Sequence, residues 1–216
     1  MHEKQNEIVA LFTDIMPGET VLTTSIEGIS LFRIDHSFPR TPYAYNSEII
    51  ILGQGEKHVY LGNDVYTYDS SRYLVLPVPL PADCEGIAGP GGPILGLSIA
   101  IDPMEVGEIL LDMEDGLKET HTLPRGIYDA PMSEALYDAT IRLLSAVADP
   151  QDKKVLAPMI KREIIYRVLK GEKGEILQAL AHRNRRFFQI AKVLRKIHET
   201  YSNDFDMEKL AKELDM

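Results

Sequence analysis

Tyr43, Tyr45, His58, Tyr60, Tyr66, Tyr68 and Tyr73 crowd into one stretch of this chain. A tyrosine ring lines an apolar cavity while its hydroxyl fixes a polar group of a ligand. With Ile49, Ile51, Val75 and Ser98 from neighbouring apolar runs, these residues are the candidates for the wall of a small-molecule pocket. Tyrosine is also a good strand former, and alternating tyrosines can simply cover sheet faces. Fewer than half of the set is therefore expected to touch a ligand.

Other chemistry is thinly supplied. His36, His58, His121, His182 and His198 show no ligand spacing among themselves, and each reads as a surface or helix histidine. Cys84 stands between Asp83 and Glu85. Acidic neighbours raise a thiol pKa, so a passive loop cysteine is expected rather than a reactive thiolate. There is no Gly-x-Ser-x-Gly elbow. The segment GIAGPGGP, residues 86–93, lacks the lysine and the following helix that a phosphate loop needs. It reads as a connection beside the pocket mouth.

The elements that must position these residues change character along the chain. Residues 20–102 read as short strands with turn signals between them, which argues a sandwich or small barrel. Thr20–Arg33, Ser47–Leu52, Lys57–Leu61, Val65–Tyr68, Tyr73–Val78 and Ile94–Ile101 are the apolar or β-branched runs. Gly62-Asn63-Asp64 is a hairpin loop, because Gly and Asn tolerate positive φ. After Asp102 the period becomes helical. Pro103–Met113 opens with Pro at a first helical position. Ser133–Val147, Val155–Leu169 and Ile176–His182 follow, then Arg186–Tyr201. Ser202-Asn203-Asp204 breaks the chain before a short helix over Met207–Leu214, with Asp206 as its N-cap. A long amphipathic helix, a polar break and a short helix is how a helix-turn-helix unit begins. A terminal helical hairpin has the same spacing.

Charge divides the chain in the same way. Residues 1–150 hold 8 Lys and Arg against 23 Asp and Glu, whereas residues 151–216 hold 15 against 10. The acidic front repels phosphate backbones and the basic tail attracts them, although exposed helices are often rich in Lys and Arg. No apolar run approaches the roughly 20 residues that span a bilayer. The N-terminal MHEKQNEIVALFTDIM carries acids and lacks a signal-peptide layout, and one cysteine makes no internal disulfide. A cytoplasmic protein without a membrane partner is expected.

Three segments carry a family resemblance. VLRKIHETYSNDFDMEKLAKELDM resembles the start of the DNA-binding region of AraC-type transcriptional regulators. KREIIYRVLKGEKGEILQALA is similar to the linker helices of one subgroup, and LGQGEKHVYLGNDVYTYDSSRYLVLPVPLPADCE resembles that subgroup's N-terminal domain. The resemblance implies an α+β fold: a cupin-like barrel over residues 1–102, a helical dimerisation and linker region over 103–182, and an incomplete helix-turn-helix over 183–216. It implies a DNA-binding regulator, not an enzyme, that senses a small effector in the barrel and works as a homodimer. The chain stops before the recognition helix, so a truncated product with at most weak, salt-sensitive DNA binding is expected. Arg183, Arg185, Arg186, Lys192, Arg195 and Lys196 are the expected phosphate contacts, and Ile109, Leu110 and Met113 the expected dimer contacts.

Metal-dependent cupins hold Fe, Mn, Ni or Zn through a His-x-His pair, a Glu and a later His. Here Tyr43-Ala44-Tyr45 stands where the pair should fall. Glu48 is present, but no His lies near residues 77–82. No metal and no cofactor is expected. The arginine that a sugar-binding relative carries before Gly-Gln-Gly is Leu52 here, so a small, fairly apolar or aromatic effector is expected. A metal-free cupin enzyme, such as a sugar isomerase or epimerase, is the alternative.

Overall fold

The computed structural model describes residues 2–18, 20–89, 92–113 and 126–183. Helix α1, His2–Ile15, opens the chain. Nine strands follow: β1 Thr20–Thr23, β2 Ile29–Ile34, β3 Phe38–Tyr45, β4 Glu48–Gln54, β5 Glu56–Leu61, β6 Asp64–Asp69, β7 Arg72–Leu76, β8 Leu80–Ile87 and β9 Ile94–Ala100. Then come α2 Pro103–Asp112, β10 Tyr128–Pro131, α3 Glu134–Ala148, α4 Asp152–Leu169 and α5 Gly174–Arg183.

All strand pairings among the described residues are antiparallel. They build two sheets, one in the order β1-β2-β9-β4-β7-β10 and one in the order β3-β8-β5-β6. The mixed α and β architecture agrees with the sequence, but the sheets face each other and do not join into a closed barrel. The central strands of the six-stranded sheet are buried on both faces, while its edge strand β1 is exposed. One face carries Ile49, Ile51, Val75, Leu97 and Ile99 into a core shared with α1 to α5. The other turns Ile50, Leu52, Leu74 and Leu76 toward the second sheet. Strand β4 is thus apolar at consecutive positions, as a strand covered on both sides must be.

Local chemistry fixes the ends of these elements. Asp102 caps α2, accepting from Met104 N at 2.8 Å, with Pro103 in the first turn. Ser133 caps α3 through Leu136 N. Gly62 turns the β5–β6 hairpin at φ 61°. Ile8 and Phe12, four residues apart on α1, are fully buried against β4 at Gly53. Burial of side chains of that size contributes about 1.5–3 kcal/mol each. Strand β10, inside the stretch expected to be purely helical, pairs with β7 from Tyr128↔Val75 to Pro131↔Arg72. Helices and strands therefore share one sheet and one core across residue 102.

Candidate functional site in the inter-sheet cavity

Between the sheets lies a cavity of about 580 Å³. Period-2 geometry decides which residues see it. From the six-stranded sheet, β2 presents Ser30, Phe32 and Ile34, β4 presents Glu48 and Ile50, and β9 presents Ser98 and Ala100. From the facing sheet come Phe38, Tyr43 and Tyr45 on β3, Lys57 on β5 and Cys84 on β8. Register aligns these side chains in rows across the six-stranded sheet: Phe32↔Gly96↔Leu52, Ser30↔Ser98↔Ile50, and Ala100↔Glu48. Gly96 leaves the space that the Phe32 ring fills.

The wall is apolar with a few polar groups. Glu48 accepts a hydrogen bond from the Ser98 hydroxyl. Tyr45 is 2% exposed, and its hydroxyl makes no well-formed hydrogen bond, with the Tyr68 hydroxyl and the Cys84 thiol beside it. Burial, reinforced by Tyr68 and Cys84 nearby, pushes the Tyr45 phenol far above its ordinary value. Burial, then Glu48, raises Tyr43 as well. Both phenols stay protonated across the physiological range and remain hydrogen-bond donors. Lys57 is 8% exposed, with Nζ 5.1 Å from the centroid of the Phe32 ring.

Of the residues singled out by sequence, Tyr43, Tyr45 and Ser98 line the cavity. Ile49, Ile51, Tyr73 and Val75 do not: they point from the opposite face of their strands into the helix-side core. Tyr73 is pushed up to about 12 there, by burial and then by Glu172. Tyr68 is buried within the inter-sheet core but away from the cavity wall, and Tyr66 packs at that core's edge. His58 and Tyr60 stand on the outer face of the four-stranded sheet, because Lys57 and Val59 take the inner face of β5. There, His58 Nε2 lies 2.6 Å from Glu56 and Nδ1 3.2 Å from Glu85, and Tyr60 donates to Glu85 at 2.5 Å. Hydrogen bonds from Tyr60 and then His58 hold the Glu85 carboxyl below its ordinary value. The Arg40 guanidinium lies 4.3 Å over the Tyr60 ring.

The residues expected at a dimer contact pack within the single chain. Ile109 and Leu110 are each 3% exposed within the protein's own helix-side core, and Met113 packs beside them. Ile109 and Leu110 bind α2 to its own chain, while Met113 is half-buried and borders an open groove between α2 and α4. Arg183 ends α5, while Arg185, Arg186, Lys192, Arg195 and Lys196 lie outside the described residues, as do the helices expected over 186–214. Cys84 is buried in a strand, not in a loop. Glu48, Ile50, Lys57, Phe32 and Cys84 were absent from the predicted wall. The register of β4 places Glu48 and Ile50 and the length of β8 places Cys84, and neither shows in an all-apolar run or behind two prolines; Phe32 and Lys57 are placed by the pairing of β2 with β9 and of β5 with β8.

Among the described residues, no three His, Cys, Asp or Glu side chains gather as metal ligands, and no helix is long and apolar enough to cross a membrane. Two facing antiparallel sheets, a cavity between them and a helical layer behind define a ligand-pocket type of domain. The profile of the family described as the AraC-type transcriptional regulator N-terminus matches residues 25–176. The chain belongs to that family. A variant of apo ToxT from Vibrio cholerae shares its fold, with TM-score 0.52 and 12% identity over 90% of this chain and 73% of that one. ToxT from Vibrio cholerae with a bound unsaturated fatty acid gives TM-score 0.47 and 12% identity, covering 92% and 72%. The AraC-like transcriptional activator CuxR gives 0.32 and 12%, covering 88% and 67%. A search of curated protein sequences returns no match.

Proposed function

We propose that this chain is the effector-sensing and dimerisation portion of a DNA-binding regulator, with the inter-sheet cavity as the effector site. The observation that carries the reading is the cavity itself: about 580 Å³, largely apolar, with Glu48, Ser98, Tyr43 and Lys57 as polar groups on its wall. An apolar wall with a few placed polar groups is the usual lining of a small-molecule site. Contact with DNA phosphates is assigned to Arg183, Arg185, Arg186, Lys192, Arg195 and Lys196, in the basic part of the chain.

Dimerisation is assigned to α4. Val155, Leu156, Met159 and Tyr166 are exposed there at 64%, 41%, 66% and 38%. Small-molecule screening by thermal shift tests the effector reading. Ligands that raise the melting temperature of the wild-type chain should leave Ile50→Trp unmoved, because the indole occupies the cavity. Ligands that stabilise both proteins equally would refute the cavity as the site.

A further inference from the structure

We propose that the effector is an organic anion with an apolar body, and that Lys57 holds its anionic head; this rests on the reading of the cavity as the effector site. Lys57 is the only cationic side chain on the cavity wall among the described residues. Its neighbours are a ring and apolar groups: Nζ lies near Phe32, and no carboxylate of the described residues stands within ion-pair distance. Comparably buried cations elsewhere are paired. Lys161, with 12% of its side chain exposed, meets Glu105 at 2.8 Å, and Arg33, at 17%, meets Asp35 at 2.7 Å. An ammonium that opens into a mostly apolar cavity with no counter-charge beside it is a seat for an anion, and the aromatic face beside it supplies only part of what a counter-ion would.

The one carboxylate on the wall does not answer it. Glu48 belongs to the Ala100 row and Lys57 approaches the Phe32 row, which contains Leu52. Those two β4 positions are four residues apart, about 13 Å along the strand. Glu48 is also engaged by Ser98. The cavity therefore has an anion-seeking end at Lys57 and Phe32 and an accepting end at Glu48 and Ser98. Tyr45, Ile50 and Phe38 complete the wall. A ligand that fits has its negative group at the first end, and any hydroxyl or amine at the second.

Two fluorescent probes of nearly the same shape test this. 1-Anilinonaphthalene-8-sulfonate is an anion, and N-phenyl-1-naphthylamine is its neutral counterpart. Titrations use the wild-type chain, Lys57→Met, Lys57→Gln, Lys57→Arg and Ile50→Trp. The wild type should bind the sulfonate more tightly than the neutral amine. Loss of a charge-assisted contact should weaken the sulfonate roughly tenfold or more in the Met and Gln variants, with the amine unchanged. Arginine should restore the sulfonate, and Ile50→Trp should weaken both probes. Equal sulfonate binding in wild type and Lys57→Met, with Ile50→Trp still blocking, overturns the anion assignment and leaves the cavity reading standing. Loss of both probes in the Met and Gln variants overturns it too. Unchanged binding of both probes by Ile50→Trp defeats the cavity reading and this inference together.

Discussion

A side-chain carbon on Gly53 would stand 2.8 Å from Ile8 Cγ2 and 2.9 Å from Phe12 Cδ2. The missing Cβ is what lets α1 lie flat on β4. Gly53→Ala should therefore destabilise the fold by about 1–3 kcal/mol through overpacking, read as a lower urea midpoint with an unchanged slope. An unchanged midpoint would mean that α1 does not dock there. Tyr45 gives the opposite sign. Its buried hydroxyl makes no well-formed hydrogen bond, only loose contacts with Tyr68 and Cys84, so Tyr45→Phe should be neutral or stabilising by up to about 1 kcal/mol without ligand. A clear destabilisation would show a hidden partner. At this scale the sequence was a partial guide. It identified Tyr43, Tyr45 and Ser98 as wall residues, but chose Ile49 and Ile51 over Ile50. In a run such as EIIIL every residue is apolar, so composition holds no phase, and the pairing partners that set the phase lie on β7 and β9.

Elements buried on one side were readable, and elements that break a propensity rule were not. Helices α2 and α3 carry one-sided stripes, so their expected spans agree with the observed ones to within a few residues, and α4, apolar on more than one side, was recognised from its buried C-terminal half. Strand β3, FPRTPYAY, contains Pro39 and Pro42 and lies at the edge of its sheet, the position where proline is tolerated. Helix α1 has only Ile8 and Phe12 fully buried, too narrow a stripe to stand out. In the turn between α3 and α4, Asp149 accepts from the backbone N–H groups of Gln151 at 2.7 Å and Asp152 at 3.0 Å where α4 begins. Those two bonds, Asp152 first, hold its carboxyl below the ordinary 3.8. A carboxyl lowered in the folded state stabilises above its unfolded pKa, and that contribution is lost as pH falls through the folded value. Asp149→Ala should accordingly lower the melting temperature at pH 7, and the gap to wild type should close in strong acid. A gap independent of pH would remove the charge from the account.

The molecule as a whole presents one apolar face that nothing in the described chain covers. On α4, Val155, Met159 and Tyr166 fall at spacings of four and seven residues, which places them on one stripe, with Leu156 beside it. A groove between α2 and α4, bounded by Met113, Met159, Arg162, Glu163 and Tyr166, runs alongside. The charges around it are of both signs. Arg162 meets Glu108 and Asp112, while Glu163 meets Arg142 and Arg167. Such a surface can complement itself across a two-fold axis, where each patch meets an identical patch. DNA regulators reading paired half-sites use that symmetry to fix the spacing of their reading heads. A second copy is thus the proposed occupant of the α4 face. The residues to change are on α4 and not Ile109 or Leu110, whose loss would open the protein's own core. Met159→Glu places a charge where a partner's apolar stripe should sit, at a position already 66% exposed in the single chain, so it should shift the protein toward monomer with little change in melting temperature. Light scattering at micromolar concentration decides the matter. Wild type should weigh about twice the 24.3 kDa chain and Met159→Glu about one chain, whereas a wild-type mass near 24.3 kDa would sink the proposal.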